Sequence, residues 1–140
     1  MDNKLQINKK NQILDAALQV FVKKGYSETR MDDIVHGSGM SKGAIYHHYS
    51  SKRDLFLELI DFWETYCFPN ILDKKYKNKT ASGTLREIVK DIIKTFKKKK
   101  YVFLAELEIW SLANHDEDVR NKTRSLYMNL LKLFSNIIAD

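Results

Sequence analysis

The sequence predicts an all-α protein, and three observations support that prediction. The 140 residues contain five glycines and one proline, too few turn residues for a protein of many short strands. Apolar residues recur at spacings of three and four along most of the chain, as they do on one face of a helix. No stretch alternates convincingly between apolar and polar residues, so we predict no sheet. With 44% apolar residues, the chain can form a packed core.

Composition also excludes several classes of protein. The longest apolar run is far shorter than a bilayer span, and we find no apolar leader with a cleavage site. A single cysteine excludes an intramolecular disulfide framework and a cysteine-based zinc cluster. We therefore expect a soluble, cytoplasmic protein with no membrane partner. The net charge of +6 favours an anionic partner.

The first two helices are predicted from apolar stripes and from residues that start or stop helices. The first helix ends at Gly25, which follows two lysines. A second, short helix begins at Thr29, where Thr29 and Asp32 resemble a capping box, and it ends within residues 37–39. The stripe of the first helix is Ile13, Leu14, Ala17, Leu18 and Phe21.

Serine residues mark the starts of the next two helices. Ser41 caps a third helix that runs to about Tyr49, with Ile45 and Tyr49 facing inward. Ser51 starts a fourth helix, which we expect to end at about Phe68 because a proline follows.

Three further helices are predicted after a lysine-rich linker. Thr84 and Glu87 form a capping box at the start of a fifth, amphipathic helix. Residues 101–113 are apolar nearly all round, which predicts a helix that is buried on most sides. Asn114 and Asp116 are candidate caps of the last helix. Its apolar stripe is Val119, Leu126, Tyr127, Leu130, Leu131, Phe134, Ile137 and Ile138.

The second and third helices carry the functional signal. Two short helices, residues 29–38 and 41–49, flank a turn that contains Gly39, which is the pattern of a helix-turn-helix. Residues Ser41 to Ala44 give the second of these helices a small, open first turn, which can enter the major groove of DNA. The amide groups of that turn favour a phosphate. We therefore predict a three-helix DNA-binding domain in residues 1–54, followed by a helical body in residues 55–140.

Other side chains near this helix extend the predicted contact. Tyr46 and His47 lie one turn further on and carry hydrogen-bond donors, and Lys52 adds a cation beyond the helix. His47 and His48 do not predict a metal site, because adjacent residues of a helix point about 100° apart. No nucleophile motif and no phosphate-binding glycine loop is present, so we predict neither an enzyme nor a bound cofactor.

The N-terminal segment resembles the DNA-binding domain of the tetracycline-repressor (TetR) family. Departures from the family pattern are mild: Val35 replaces a common alanine, Met40 a frequent valine, and Tyr49 the usual phenylalanine. The residues that carry the resemblance are Ile13-Leu14-Asp15-Ala16-Ala17, Phe21, Gly25-Tyr26, Thr29, Ile34-Val35 and the continuous run from Gly39 to Leu55. Residues beyond 60 match no family motif.

The resemblance implies a homodimeric transcriptional repressor whose helix 41–49 reads a palindromic double-stranded DNA operator. A small-molecule inducer bound in the helical body would release it. By position, Ser41, Lys42 and Gly43 would contact bases or adjacent phosphates. The residues that would mainly contact the DNA backbone are Thr29, Arg30, Tyr46, His47 and Lys52.

Aromatic residues in the body form a candidate inducer pocket. Aromatic walls with a carboxylate suit a flat, apolar or cationic molecule, but aromatics at helical spacing are also ordinary core, and both interpretations stay open. If helix 101–113 is buried, Glu106 or Glu108 must be paired or lie in a cavity. The candidate pocket residues are Trp63, Tyr66, Phe103, Glu106, Trp110 and Tyr127.

Charge distribution leaves one alternative function open. Residues 74–100 carry a net charge of +9, whereas residues 1–54 carry +3. The alternative is a lysine-rich helical adaptor or membrane-surface protein that uses residues 74–100. Against it, the apolar stripe of the fifth helix should be needed for the core of the body.

The final helix raises a question about the body. Family members continue with two further helices that form a four-helix dimer interface, whereas this chain stops within an apolar stripe. We therefore expect that the body is truncated or that the protein dimerises differently.

Overall fold

In the computed structural model, residues 2–67 and 80–139 are described, and they form seven α-helices with no strand among them. The predicted all-α fold is thereby confirmed. The helices are α1 (Asp2–Lys24), α2 (Met31–Ser38), α3 (Lys42–His48), α4 (Lys52–Cys67), α5 (Ala81–Lys98), α6 (Lys100–Ala113) and α7 (Glu117–Ala139). No helix in these ranges is long and apolar enough to cross a membrane.

Helices α1 to α3 and the start of α4 pack into an N-terminal head. The predicted stripe of α1 is confirmed, since each of its five apolar side chains is at most 3% exposed. Ile34 of α2 and Ile45 of α3 are fully buried against this stripe, and Tyr49, which ends α3, is 3% exposed. The short helices of the head are therefore held by a few anchors rather than by their own length.

The head and the helical body share one hydrophobic core. α4 begins in the head and continues into the body, where its Trp63 is buried. Val102 and Ile109 of α6 and Val119 of α7 belong to the same cluster as the stripe of α1. A second, smaller cluster surrounds Ile88, between α5 and α7.

The predicted caps of α3 and α4 are confirmed. Ser41 Oγ accepts the backbone N–H of Ala44 at 3.2 Å, and Ser51 Oγ accepts that of Asp54 at 3.0 Å. Asp116 caps α7 in the same way, because its Oδ1 accepts the backbone N–H of Val119 at 3.1 Å. The α4 end expected near residue 68 and most of the lysine-rich linker lie outside the described residues.

Two predicted helix starts are wrong. α2 begins at Met31 and not at Thr29; the backbone N–H of Arg30 donates to Asp33 Oδ2 at 2.8 Å, which fixes the first turn. The residue that precedes α2 is Arg30, and the Thr29 hydroxyl instead donates to the carbonyl of Gly25 at 2.7 Å.

α5 begins at Ala81, one turn before the predicted capping box. Thr80 Oγ1 accepts the backbone N–H of Gly83 at 3.2 Å and caps the helix. Thr84, the predicted cap, is 4% exposed and lies inside the helix. Because this turn packs into the body, Thr84 lies inside α5 and does not cap its first residue.

The prediction that α6 is buried on most sides is also wrong. Its buried side chains lie on one face, while Leu104, Leu107 and Trp110 are 50%, 67% and 49% exposed. The apolar stripes of α5 and α7 are likewise only partly covered. Exposed apolar residues on these two helices are Val89, Ile93, Phe96, Met128, Leu131 and Ile138.

Candidate nucleic-acid interface

The turn between α2 and α3 has a defined backbone geometry. Gly39 has a φ of 66°, in the left-handed region that favours glycine, and its N–H donates to the carbonyl of His36. The backbone N–H of Met40 donates to Ser38 Oγ at 3.1 Å. These contacts end α2 and set the direction in which α3 begins.

Anchoring of α3 on one side leaves the other side open to solvent. Ile45 is buried, so the helix presents an outer surface formed by its first turn and by Tyr46 and His47. Ala44 is half-buried. The sequence-predicted residues exposed on this outer surface are Ser41, Lys42, Gly43, Tyr46 and His47. We name this group of five the α3 outer surface.

Lys42 is the cation of the α3 outer surface. Its Nζ lies 3.0 Å from Asp32 Oδ1 of α2 and 5.8 Å from the centre of the Tyr46 ring. The hydrogen bond from Lys42 to the Asp32 carboxylate raises the pKa of the lysine, which keeps it charged. A charged, exposed lysine at the first residue of α3 can donate to a base edge or to a phosphate.

Gly43 leaves open space beside Lys42. A Cβ atom added at this position would meet no other atom within 4 Å. The protein's own packing therefore does not require glycine here, and its φ is not in the left-handed region. The open space allows a partner to approach the backbone of α3 closely.

Thr29 was predicted to contact the DNA backbone, but its side chain points into the protein. Thr29 is 2% exposed, and its hydroxyl donates to the carbonyl of Gly25, whose φ is 83°. The hydroxyl is used to close the connection between α1 and α2, so it is not available to a phosphate. In the sequence, the indication of this contact was that Thr29 follows Gly25 by four residues.

Lys52, also predicted as a DNA contact, is likewise engaged inside the protein. Its Nζ donates to the carbonyl of Tyr26 at 2.7 Å and lies 4.3 Å from the centre of the Tyr26 ring. Tyr26 packs in turn against Phe21 and Phe56. Lys52 thus fixes the α1–α2 connection relative to α4. Arg30, the remaining predicted contact, is exposed.

His47 of the α3 outer surface and the adjacent His48 do not form a metal site. The rings of His47 and His48 lie 5.3 Å apart and are nearly perpendicular. Burial, together with the charges of His47 and nearby lysines, lowers the pKa of His48. Across residues 2–67 and 80–139, no three metal-ligating side chains come together.

Among the polar contacts that join the head to the body, two lie near the start of α4 and the α1–α2 connection, and the sequence did not reveal them. Glu108 Oε2 of α6 accepts the backbone N–H of Tyr26 at 2.9 Å. Arg53 of α4 donates to Asp116 at 2.9 and 3.1 Å and to Asp118 at 2.5 Å, at the start of α7. We call these contacts the head–body joint. The two aspartates were visible in the sequence only as helix-start residues.

The candidate pocket residues fall into separate places. Trp63 is in the core, where its Nε1 donates to the carbonyl of Val102 at 2.5 Å. Glu106 accepts hydrogen bonds from the Tyr127 hydroxyl and from Trp110 Nε1, and these two rings lie 5.0 Å apart near the surface. Phe103 packs against Phe96 on α5.

The side chain of Tyr66 is not described. None of the three grooves described for this chain includes any of the six candidate residues; the largest, about 930 Å³, lies between α1 and α4. The expectation for the two glutamates depended on burial of α6 on most sides, which the structure does not show, but Glu106 and Glu108 each accept a hydrogen bond.

Comparison with known proteins agrees with this geometry. Residues 13–59 match the family described as bacterial regulatory proteins, tetR family. An uncharacterised HTH-type transcriptional regulator from the lacX 3' region of Lactococcus lactis subsp. lactis is 30% identical over 132 residues, which cover 89% of this chain and 65% of that protein. The HTH-type transcriptional regulator QacR of Staphylococcus aureus is 41% identical over 59 residues, 42% of this chain and 31% of QacR.

A solved structure shows the same fold. It is that of a putative transcriptional regulator from Saccharomonospora viridis in complex with choline, with a TM-score of 0.77 and 21% identity, covering 93% of this chain and 68% of that one. The relatives and the solved structure named above are described as transcriptional regulators, and the head of this chain has a helix-turn-helix like theirs. The match to the tetR family of bacterial regulatory proteins spans residues 13–59, which include α2, α3 and the turn between them. The chain spans less than two thirds of the length of the two curated relatives named above.

Proposed function

We propose that this protein is a ligand-responsive transcriptional repressor that binds a palindromic operator as a homodimer. The observation that carries the proposal is the α3 outer surface: Lys42, Tyr46 and His47 stand exposed on a helix whose opposite side is anchored by Ile45. A helix held in this way after a glycine turn is suited to lie in the major groove. Bound over a promoter, the protein would block transcription.

The residues of the interface have different roles in this proposal. Lys42 donates to a base edge or an adjacent phosphate, and Gly43 allows the DNA to approach the helix. Ser41 and Ala44 form the rest of the first turn. Tyr46, His47 and Arg30 contact the sugar-phosphate backbone and set the register of the protein on the duplex. Thr29 and Lys52 act indirectly, by fixing the α1–α2 connection.

Homodimer formation is supported by the symmetry of palindromic sites. A palindrome presents two identical half-sites about 34–36 Å apart, so two identical heads can read it at once. The exposed apolar residues on α5, α6 and α7 favour association of the body with another chain, because isolated proteins rarely expose extensive apolar surface.

Release by a ligand requires that the body act on the head. The head–body joint provides direct contacts, since Glu108 of α6 holds the Tyr26 backbone and Arg53 holds the start of α7. A ligand that shifts α6 would therefore displace the α1–α2 connection and, with it, α3. Trp110, Tyr127 and Glu106 offer aromatic faces beside a carboxylate, which favours a flat or cationic inducer.

Trp63 lies in the core and Phe103 packs against Phe96, so these two residues are left out of the proposed inducer site. The ligand in the similar Saccharomonospora viridis structure, choline, is a cation, which makes choline a reasonable first probe. Weaker binding of choline to Glu106→Gln than to wild type would support an inducer site beside Glu106, and equal binding would rule that site out.

A selection experiment tests the proposed function. The full chain is used to select duplexes from a randomised pool, and binding to a selected duplex is measured by gel shift at several salt concentrations. Lys42→Ala should weaken selective binding by about 1–3 kcal/mol, the range for one specific base contact. Lys132→Ala, which removes an exposed lysine on α7, is the matched control and should bind like wild type.

The same experiment addresses the alternative of a lysine-rich adaptor. Lys97 to Lys100 lie at the end of α5 and the start of α6, whereas residues 74–79 lie outside the described range. If replacing these four lysines abolishes binding and Lys42→Ala does not, the repressor proposal is wrong.

A further inference from the structure

The first half of α1 adds two adjacent cations, Lys9 and Lys10, to the head of the protein. Residues 2–12 of α1 precede the segment that matches the tetR family, so the resemblance assigns them no role. Lys9 is exposed, and Lys10 is half-buried. Because both lysines lie near the end of α3, they bear on the surface that the proposed function sets against DNA.

Lys10 fixes the first half of α1 beside the end of α3. Its Nζ pairs with Glu58 Oε1 of α4 at 2.7 Å and lies 5.7 Å from the centre of the Tyr49 ring. Tyr49 directly follows α3 and is 3% exposed, so α1 is held against a buried anchor of the head. Glu58 balances the charge of Lys10 in this contact.

Lys9 lies within electrostatic reach of the same end of α3. Adjacent residues of a helix point about 100° apart, so the Lys9 side chain leaves α1 in a different direction from that of Lys10. Burial lowers the pKa of His48, the last residue of α3, and the charge of Lys9 is among the charges that lower it further. The ring of His48 in turn lies 5.3 Å from that of His47, which belongs to the α3 outer surface.

The charge of Lys9 is available to an external anion. Other lysines of the head are engaged within the protein: Lys24 pairs with Asp33 at 2.8 Å, and Lys52 donates to the carbonyl of Tyr26 at 2.7 Å. Across residues 2–67 and 80–139, Lys9 forms no ion pair. It therefore adds an unbalanced positive charge beside the end of α3.

The position of Lys9 determines which part of DNA it can meet. A recognition helix reads base edges with its N-terminal residues, and Lys42 is the first residue of α3. The seven residues of α3 span about 10 Å, so Lys9 lies near the opposite end, where the helix leaves the groove beside the sugar-phosphate backbone.

We propose that Lys9 binds a backbone phosphate of the operator beside the C-terminal end of α3. The inference rests on the proposed function and adds to it a contact that positions the protein without reading sequence. With Lys42 at one end and Lys9 at the other, α3 is held to the duplex at both of its ends. The contact strengthens binding to every duplex and leaves the choice of sequence to α3.

The test compares Lys9→Gln with wild type on two duplexes. One duplex is selected from a randomised pool by the wild-type chain, and the other is a scrambled sequence of equal length and composition. Affinity is measured by fluorescence anisotropy over a series of salt concentrations, with circular dichroism to verify the fold. Glutamine removes the charge and has a helix propensity similar to that of lysine. Lys132→Gln, at an exposed lysine of α7, is the matched control.

We expect Lys9→Gln to bind both duplexes about two- to fivefold more weakly, which is the effect of one exposed charge pair. The slope of log affinity against log salt concentration should become shallower by about 0.9, the contribution of one phosphate contact. The ratio of the two affinities should stay the same, because a phosphate contact carries no sequence information. Lys132→Gln should leave both affinities and the slope unchanged.

A scan of the selected duplex locates the contact. Each backbone phosphate in turn is replaced by an uncharged methylphosphonate, and binding is measured for wild type and for Lys9→Gln. At one position in each half-site, the replacement should weaken binding of wild type and not of the variant, because the variant has already lost the contact. A scan that contains no such position overturns the inference.

Three other outcomes would also overturn it: an unchanged salt slope in Lys9→Gln, an equal effect of Lys132→Gln, or weaker binding to the selected duplex alone. If wild type selects no duplex, the proposed function fails and the Lys9 contact fails with it. A selected duplex with an unchanged salt slope in Lys9→Gln overturns the Lys9 contact alone.

Discussion

At the residue scale, the two glycines of the helix-turn-helix serve different purposes. Gly39 adopts a positive φ, and Gly43 does not, but a Cβ at either position would meet open space. Glycine is therefore required at position 39 by the backbone conformation, whereas nothing in the protein's own packing requires glycine at position 43, where we propose that DNA approaches. Sequence alone does not separate these two reasons, because both glycines lie in the same turn region.

Replacement by alanine should separate them. Gly39→Ala should lower the free energy of unfolding by about 1 kcal/mol, the cost of a left-handed conformation for a residue with a Cβ. Gly43→Ala should leave it unchanged or raise it by up to about 1 kcal/mol, because alanine favours a helix. Gly43→Ala should nevertheless bind the selected duplex more weakly than wild type.

Urea unfolding followed by circular dichroism measures the first effect, and gel shift measures the second. Full DNA affinity in Gly43→Ala would contradict close approach of DNA to α3 at this position.

Thr29 is a second position where the sequence suggested a surface role and the structure shows an internal one. Thr29→Val should lower the free energy of unfolding by about 1–3 kcal/mol, because the Gly25 carbonyl loses its donor. Thr65→Val is the matched control, since the Thr65 hydroxyl also donates to a carbonyl, that of Asp61, but at an exposed position. Equal urea midpoints for the two variants would show that the buried hydrogen bond of Thr29 contributes no more to folding stability than the exposed one of Thr65.

At the element scale, the contact between α4 and α7 depends on pH. The hydrogen bond from Arg53 holds the pKa of the Asp116 carboxyl below its ordinary value. Because the folded-state pKa is the lower one, the contact stabilises the fold above the ordinary aspartate pKa near 4 and is lost as the pH falls through the folded-state value.

We therefore expect acid to destabilise wild type more than Arg53→Gln. Between pH 5 and pH 3, the urea midpoint of wild type should fall further than that of the variant, with Arg124→Gln, an exposed arginine of α7, as the control. Parallel curves for wild type and Arg53→Gln would mean that the pair does not contribute to folding.

Helix positions were largely predictable at this scale, but helix boundaries and coverage were not. Ser41 and Ser51 cap their helices as predicted because a serine oxygen can satisfy a free amide wherever the helix starts. Thr84 also fits a capping pattern, but its burial in the body decides against it. The apolar composition of α6 could not reveal that Leu107 is exposed to solvent, since burial depends on packing partners that are distant in sequence.

At the scale of the whole molecule, the DNA-reading head was recognisable and the pocket was not. The head has a continuous motif from Gly39 to Leu55, whose anchors Ile45 and Tyr49 are buried as predicted. The pocket prediction rested on aromatic residues together with a carboxylate, and aromatic residues also build ordinary cores, as Trp63 does. The head–body joint was missed because it uses a backbone amide and charges far apart in the chain.

The proposed assembly makes a prediction about stoichiometry. If two heads read one palindrome, a duplex that carries a complete selected site should bind two chains, and a duplex with one half-site should bind far more weakly. Native mass spectrometry of the two complexes measures this directly. One chain per complete site, with equal affinity for the half-site, would contradict the homodimer.

The shared core bears on how this protein can be re-engineered. Because the stripe of α1 belongs to the same core cluster as Val102 and Ile109, the DNA-reading segment cannot be transferred to another protein as an independent folding unit. A chimera that grafted it onto another regulator's sensing portion would need matching apolar surface and a carboxylate in the place of Glu108. Exchange of binding specificity is therefore better attempted by changing the exposed side chains of α3 than by moving the segment as a block.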